Sequence, residues 1–108
     1  MEVKELVEFM EWTTWLWRYK RESELTKKEE IFAQTVKIWE EYWELCEQIL
    51  WNLWAERKEK ADCFSQEHLE DELADVIYTT IRLACLMEID IEKALENKKE
   101  KLLSRMKW

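Results

Sequence analysis

The chain of 108 residues contains neither glycine nor proline. Tight hairpins, dinucleotide-binding turns and P-loops depend on the backbone freedom of glycine, so these folds and sites are excluded. The length allows a single domain over residues 1–108 with one modest core. The residues that remain are rich in Glu, Lys, Leu and aromatic types, which favours helices joined by short polar connections. We therefore predict an all-α protein.

The charge balance is acidic, with 25 Asp and Glu against 17 Lys and Arg. A protein that binds nucleic acid needs a basic surface, and a charged fraction of 39% argues against a membrane protein, so neither partner is expected. Cys46, Cys63 and Cys85 lack CxxC or zinc spacing, which favours reduced thiols. The first ten residues lack the layout of a signal peptide. These features predict a cytoplasmic protein.

Apolar residues recur at helical spacing along four segments of the chain. Thr26 followed by Glu29 has the form of a capping box that opens the second segment, while Ser65 and Asp90 are suited to cap the third and fourth. The stretch KEKADCF, residues 58–64, is predicted to be a loop. The predicted helices cover about residues 3–21, 27–58, 66–87 and 91–107.

Two pairs of carboxylates stand at i, i+3 spacing, Glu41 with Glu44 and Glu72 with Asp75. Each pair leaves one face of its helix, and antiparallel packing of the two helices would bring all four carboxylates to one pocket. Such a cluster repels itself unless a cation neutralises it, and ligands that are all oxygen favour Mg²⁺ or Mn²⁺ over zinc. A di-iron site is disfavoured because Glu-x-x-His is missing from these helices.

A second interpretation of the same residues needs no metal. Glu pairs at this spacing arise often in an acidic chain and commonly mark a solvated face. The chain would then be a non-catalytic, acidic helical-bundle interaction module.

The pattern Glu40-Glu41-x-x-Glu44, followed by Glu72-x-x-Asp75, resembles the signature of the MazG-like all-α nucleoside triphosphate pyrophosphohydrolases. The segment ELADVIYTTIRLACLMEIDIEKALENKKEKLLSR is similar to the third and fourth helices of that family, so the resemblance covers about residues 31–105. It implies a four-helix bundle and a Mg²⁺-dependent hydrolase. Such an enzyme cuts (d)NTPs between the α and β phosphates, yields (d)NMP and pyrophosphate, and serves nucleotide-pool sanitation.

The resemblance also implies roles for individual residues. Glu40 flanks the carboxylate face and would act as a base or hydrogen-bond a metal ligand. The implied metal ligands are Glu41, Glu44, Glu72 and Asp75; the catalytic candidates are Glu40, Glu41 and Glu44; and the candidates for substrate binding are Lys37, Asn97 and Lys101. Lys37 stands one turn before Glu41, so it would either contact a phosphate or simply neutralise the carboxylates.

Eight tryptophans stand in a chain for which average usage predicts roughly eight glycines. One interpretation is structural: Trp39, Trp43, Leu50 and Trp54 form a stripe broad enough for an interface in a homodimer or homotetramer. Another is that UGA codons are read as glycine in the source organism, since the MazG-like proteins usually have glycine at position 43. A third is a deliberately glycine-free design. The intact mass of the protein from its native host distinguishes a recoded chain from the other two.

Overall fold

A computed structural model of the protein describes residues 1–20, 25–54 and 65–106, and within these ranges the chain forms four helices and no strand. This confirms the predicted all-α class. The predicted loop over residues 58–64, and the predicted helix ends at residues 21, 57–58 and 107, lie outside the described residues. The helices are α1 Val3–Lys20, α2 Lys27–Trp54, α3 Gln66–Leu86 and α4 Ile91–Arg105.

The start of α2 is the predicted capping box. The backbone N–H of Glu29 donates to Thr26 Oγ1 at 3.2 Å, and the N–H of Thr26 donates to Glu29 Oε1 at 3.3 Å. Helix α3 starts with Ser65, whose Oγ accepts from the backbone N–H of His68 at 3.3 Å. These contacts satisfy donors that the first turn of a helix leaves without partners.

The connection from α3 to α4 is a tight helix end built without glycine. The N–H of Ile89 bonds to the carbonyl of Ala84 at 2.9 Å, and the N–H of Glu88 bonds to the carbonyl of Cys85 at 3.2 Å. This pairing is the Schellman motif, and it requires the left-handed conformation that Glu88 adopts with φ of 57°. Asp90 then caps α4 as predicted, because its Oδ1 accepts from the backbone N–H of Lys93.

Helix α3 lies at the centre, with α1 and α2 both packed against it. Gln34 on α2 donates from Nε2 to the carbonyl of Thr79 at 2.9 Å, while Glu41 lies near Glu72 and Asp75, so α2 and α3 run antiparallel. Among the described residues, α4 packs only against α1 and α3. The buried apolar residues are Val7, Met10, Leu45, Ile81, Ala84 and Leu86.

The face that α2 turns inward is unusually polar. Gln34, Glu41 and Gln48 are buried, whereas Trp39 and Trp43 on the other side of the helix are 74% and 59% exposed. These two tryptophans of the predicted stripe therefore lie on the surface of the single chain. None of the described helices is long and apolar enough to cross a membrane.

Candidate metal centre

Three of the four predicted metal ligands meet at the α2–α3 interface. One carboxylate oxygen from each of Glu41, Glu72 and Asp75 lies within 4.8 Å of the other two. The i, i+3 spacing places Glu72 and Asp75 on one face of α3, and the antiparallel contact brings Glu41 of α2 to that face. Glu41 is buried, and the two α3 residues are half-buried.

The fourth predicted ligand, Glu44, stands beside Glu72 rather than within the three-oxygen cluster. The two carboxyl groups lie close enough to share a hydrogen bond. Burial raises the pKa of Glu44, and the charge of Glu41 raises it further. Burial likewise raises the pKa of Glu72, with a second contribution from the charge of Glu44. A proton bound between these two groups would relieve their repulsion.

Among the described residues, the negative charge of the cluster is not fully compensated. Within the described part of the chain, the buried Oε2 atoms of Glu41 and Glu72 have no hydrogen-bond partner. Burial raises the pKa of Asp75, and the nearby charge of Glu41 adds to that effect. Buried carboxylate oxygens without partners are costly, and a divalent cation that prefers oxygen ligands would satisfy them. The residues therefore fit Mg²⁺ or Mn²⁺.

Lys37 brings a positive charge to this cluster. Its Nζ lies 3.1 Å from Oε1 of Glu41 and 3.6 Å from Oε2 of Glu40. The hydrogen bond to Glu41 is the main cause that raises the pKa of Lys37. Glu40 itself is exposed at the rim, so it reaches the cluster through Lys37.

The two predicted substrate residues on α4 are not brought to the carboxylates within one chain. Asn97 and Lys101 are exposed and line a shallow surface pocket together with Glu100 and Ser104. In the described structure α4 does not pack against α2, the helix that carries Glu41. Their role in substrate binding stays a prediction.

Two polar contacts between helices were not predicted, and the first of them holds the site together. Gln34 bonds the carbonyl of Thr79, and Thr79 Oγ1 in turn donates to the carbonyl of Asp75 at 2.7 Å, so α2 is tied to α3 one turn from the cluster. The sequence did indicate the position of Gln34, because it precedes Glu41 by seven residues and therefore lies on the same face of α2. Glu30 is buried and pairs with Arg18 Nε at 2.8 Å, a contact between distant positions that no local pattern indicates.

Residues 32–108 match the family model of the MazG nucleotide pyrophosphohydrolase domain. The chain belongs to the MazG family. The resemblance over residues 31–105 is thereby confirmed, and the matched segment contains every carboxylate of the cluster. Comparison with curated proteins and with solved structures gave no match. All of α1 and the first turn of α2 precede the MazG segment, so the buried Glu30 and its partner Arg18 lie outside it.

Proposed function

We propose that this MazG protein is a Mg²⁺-dependent pyrophosphohydrolase that converts nucleoside triphosphates into nucleoside monophosphates and pyrophosphate. The observation that carries the proposal is the convergence of Glu41, Glu72 and Asp75 from two helices that both lie in the matched segment. An acidic pocket of this kind repels a triphosphate unless a cation stands between them. Mn²⁺ has the same preference for oxygen ligands and would serve in its place.

The three carboxylates would hold the cation, and Lys37 would contact the substrate. Bound Mg²⁺ supplies charge neutralisation of phosphate oxygens and lowers the pKa of a bound water. Lys37 is half-exposed on the same face, so its ammonium group can turn from Glu41 to a phosphate once the cation neutralises the carboxylates. The lysine would then favour the bound triphosphate over the bound monophosphate, because the triphosphate carries more charge.

Glu44 is the residue we propose as the general base. It stands outside the three-oxygen cluster, and burial raises its pKa, which makes it a stronger base than an ordinary carboxylate. The oxygen of water forms a bond to phosphorus, and the bond from phosphorus to the α–β bridging oxygen breaks. The electron pair of that bond stays on the bridging oxygen of the departing group, which is pyrophosphate when the α phosphorus is attacked and the nucleoside monophosphate when the β phosphorus is attacked. The proton of water passes to Glu44. Glu40 would act indirectly, by holding Lys37 at the rim of the carboxylate cluster.

The proposed role is the removal of unwanted nucleotides from the cellular pool. The carboxylates and the cation that they would hold act on the triphosphate, so they indicate the substrate class. The preferred base and sugar depend on the shape of a pocket that the carboxylates do not define.

The test is product analysis. The full chain is incubated with Mg²⁺ and a panel of ribo- and deoxyribonucleoside triphosphates, and nucleotides and phosphates are separated by ion-exchange chromatography. Monophosphate and pyrophosphate in equal amounts support the proposal. Nucleoside diphosphate with orthophosphate would show cleavage between the β and γ phosphates instead. Triphosphates left intact by a folded protein would favour the interaction module.

A further inference from the structure

The inward face of α2 carries a second buried glutamine besides Gln34. Gln48 is 8% exposed and follows Glu41 by seven residues, so at about 100° per residue it points within about 20° of Glu41. Gln34 is equally buried, but its Nε2 donates to the carbonyl of Thr79 at 2.9 Å. The part of the chain that the structure describes offers no donor to Oε1 of Gln48. The two glutamines therefore share a face of the helix and differ in their bonding.

An amide oxygen without a partner lowers the stability of the fold at this position. A buried polar atom that makes no hydrogen bond is costly, whereas an apolar side chain of similar size would pack there without that cost. Leu45, on the same face nearly one turn earlier, is such an apolar residue. Residues that reduce stability in this way are typical of active sites. Oε1 of Gln48 therefore indicates a ligand that donates a hydrogen bond.

Gln48 lies one turn beyond Glu44, the proposed general base. Side chains at i and i+4 are neighbours on a helix, with about 5 to 6 Å between their Cβ atoms, and Glu44 points about 40° from Gln48. A water molecule that donates to two acceptors, at about 2.8 Å to each, spans roughly 4.5 Å between them. The carboxylate and the amide carbonyl are thus spaced to hold one water molecule together.

We propose that Gln48 and Glu44 together hold the water that attacks phosphorus, an inference that rests on the proposed hydrolysis. One O–H of the water donates to Glu44 and the other donates to Oε1 of Gln48, which leaves a lone pair directed at phosphorus. As the bond from oxygen to phosphorus forms and the bond to the bridging oxygen breaks, Glu44 takes the first proton. The second O–H keeps its bond to Gln48 and stays on the phosphate that was attacked.

An amide suits this task better than a second carboxylate. The carboxylates of Glu41, Glu44 and Glu72 already crowd negative charge at the α2–α3 interface. The carbonyl of Gln48 accepts a hydrogen bond without adding charge, and it does not compete with Glu44 for the proton. Phosphoryl-transfer enzymes use glutamine in this way to orient an attacking water.

This arrangement selects water over methanol. Methanol has one O–H, and a methyl group replaces the second hydrogen, so it can donate to Glu44 or to Gln48 but not to both. A site built to bond both hydrogens rejects methanol, because one acceptor then stays without a partner. Attack by methanol breaks the same bond to the bridging oxygen and passes its proton to Glu44, but its product is a methyl ester of the phosphate.

The test measures both products in one reaction. The full chain is incubated with Mg²⁺ in dilute aqueous methanol and the triphosphate that it hydrolyses fastest, and methyl-ester and hydrolysed products are separated by chromatography and identified by mass. Gln48→Met keeps the size of the side chain and removes the acceptor. We expect the ratio of methyl-ester to hydrolysed product to rise at least about 5-fold, while kcat falls about 10-fold and KM stays within about 3-fold.

Two measurements without turnover separate this role from a structural one. In EDTA, the melting temperature of Gln48→Met should be no lower than that of the natural chain, because the change removes an amide oxygen without a partner. The Mg²⁺ affinity of Gln48→Met, measured by calorimetry, should stay within about 3-fold, because the proposed ligands are the carboxylates. Gln34→Met is the matched control: it loses the bond to Thr79, so its melting temperature should fall while its product ratio stays unchanged.

Each contrary result has a distinct meaning. An unchanged product ratio in Gln48→Met would overturn the inference and leave the proposed hydrolysis standing. A melting temperature that falls as far as in Gln34→Met would also overturn it, since Gln48 would then serve the fold. A loss of Mg²⁺ affinity beyond about 10-fold would make Gln48 a metal ligand instead. A natural chain that hydrolyses no triphosphate would overturn both proposals.

Discussion

Lys37 and Glu41 form an ion pair across the boundary between solvent and core. Nζ of Lys37 lies 3.1 Å from Oε1 of Glu41, and the lysine side chain is 47% exposed whereas the glutamate side chain is 9% exposed. One turn of α2 separates the two residues, so the pair forms without help from another helix. The lysine thus supplies part of the positive charge that the carboxylate cluster needs.

We expect Lys37→Met to destabilise the metal-free protein by about 1 kcal/mol, since it removes the partner of a buried carboxylate while leaving solvent to screen part of the effect. The loss should shrink in saturating Mg²⁺, because the cation then neutralises Glu41. Urea denaturation in EDTA and in Mg²⁺ measures both values. Lys99→Met is the control, since Lys99 forms only an exposed pair with Glu96. Equal losses in EDTA and Mg²⁺ would contradict this role for Lys37.

The metal-free protein should lose stability as pH rises. The pKa values of Glu44, Glu72 and Asp75 are raised in the folded state, with burial the largest cause for each. Above the ordinary carboxyl range of about 4 to 4.5, the folded chain therefore binds more protons than the unfolded chain. The free energy of unfolding falls through that window and levels off once the raised pKa values are passed.

Urea denaturation in EDTA at pH 5, 6, 7 and 8 measures this slope. Other carboxylates also contribute to the slope. The decisive quantity is therefore the difference in the free energy of unfolding between the natural chain and Glu72→Gln, which removes one charge from the cluster. The free energy of unfolding should decline less steeply with pH in Glu72→Gln. The stability of this variant relative to the natural chain should therefore grow from pH 5 to pH 8. A relative stability that stays constant with pH would count against the coupling of these carboxylates.

Mg²⁺ should raise the melting temperature. A ligand at ten times its dissociation constant that binds only the native state stabilises by about 1.4 kcal/mol, roughly 5 °C for a chain of this size. Glu72→Gln should abolish the shift, and Glu70→Gln should retain it, because Glu70 is exposed on the same helix outside the cluster. Identical shifts in the two variants would place the binding of Mg²⁺ elsewhere.

Gln34 should control the alignment of α2 with α3. Gln34→Ala removes the bond to the carbonyl of Thr79, so we expect a loss of about 1 kcal/mol in stability. Because the same contact sets Glu41 opposite Asp75, Mg²⁺ affinity measured by calorimetry should fall as well. Gln66→Ala, at an exposed position in the first turn of α3, should change neither quantity. Unchanged Mg²⁺ affinity in Gln34→Ala would mean that other contacts set the alignment.

The sequence predicts the helices of this protein well because their ends are encoded locally. Thr26 with Glu29, Ser65 and Asp90 each satisfy the first turn of a helix, and the structure has each cap where it was predicted. The i, i+3 carboxylate pairs are also local, so the shared face of Glu72 and Asp75 could be predicted before any tertiary contact was known.

The choice of which helix face turns inward was harder to predict. Periodicity indicates that α2 has an apolar stripe and a polar face, but it carries no information on which of them meets α3. The structure buries Gln34 and Glu41 and leaves Trp39 exposed. Contacts such as Arg18 with Glu30 join positions on different helices, and no spacing within one helix predicts them.

The proposed hydrolysis of nucleoside triphosphates by the carboxylate cluster is tested most directly by pyrophosphate release at saturating Mg²⁺ from Glu41→Gln and from Glu70→Gln. Each variant removes one carboxylate charge, but only Glu41 belongs to the cluster. We expect Glu70→Gln to release pyrophosphate as the natural chain does, and Glu41→Gln to lose at least about 100-fold in rate. Equal release by the two variants, both folded, would contradict this proposal.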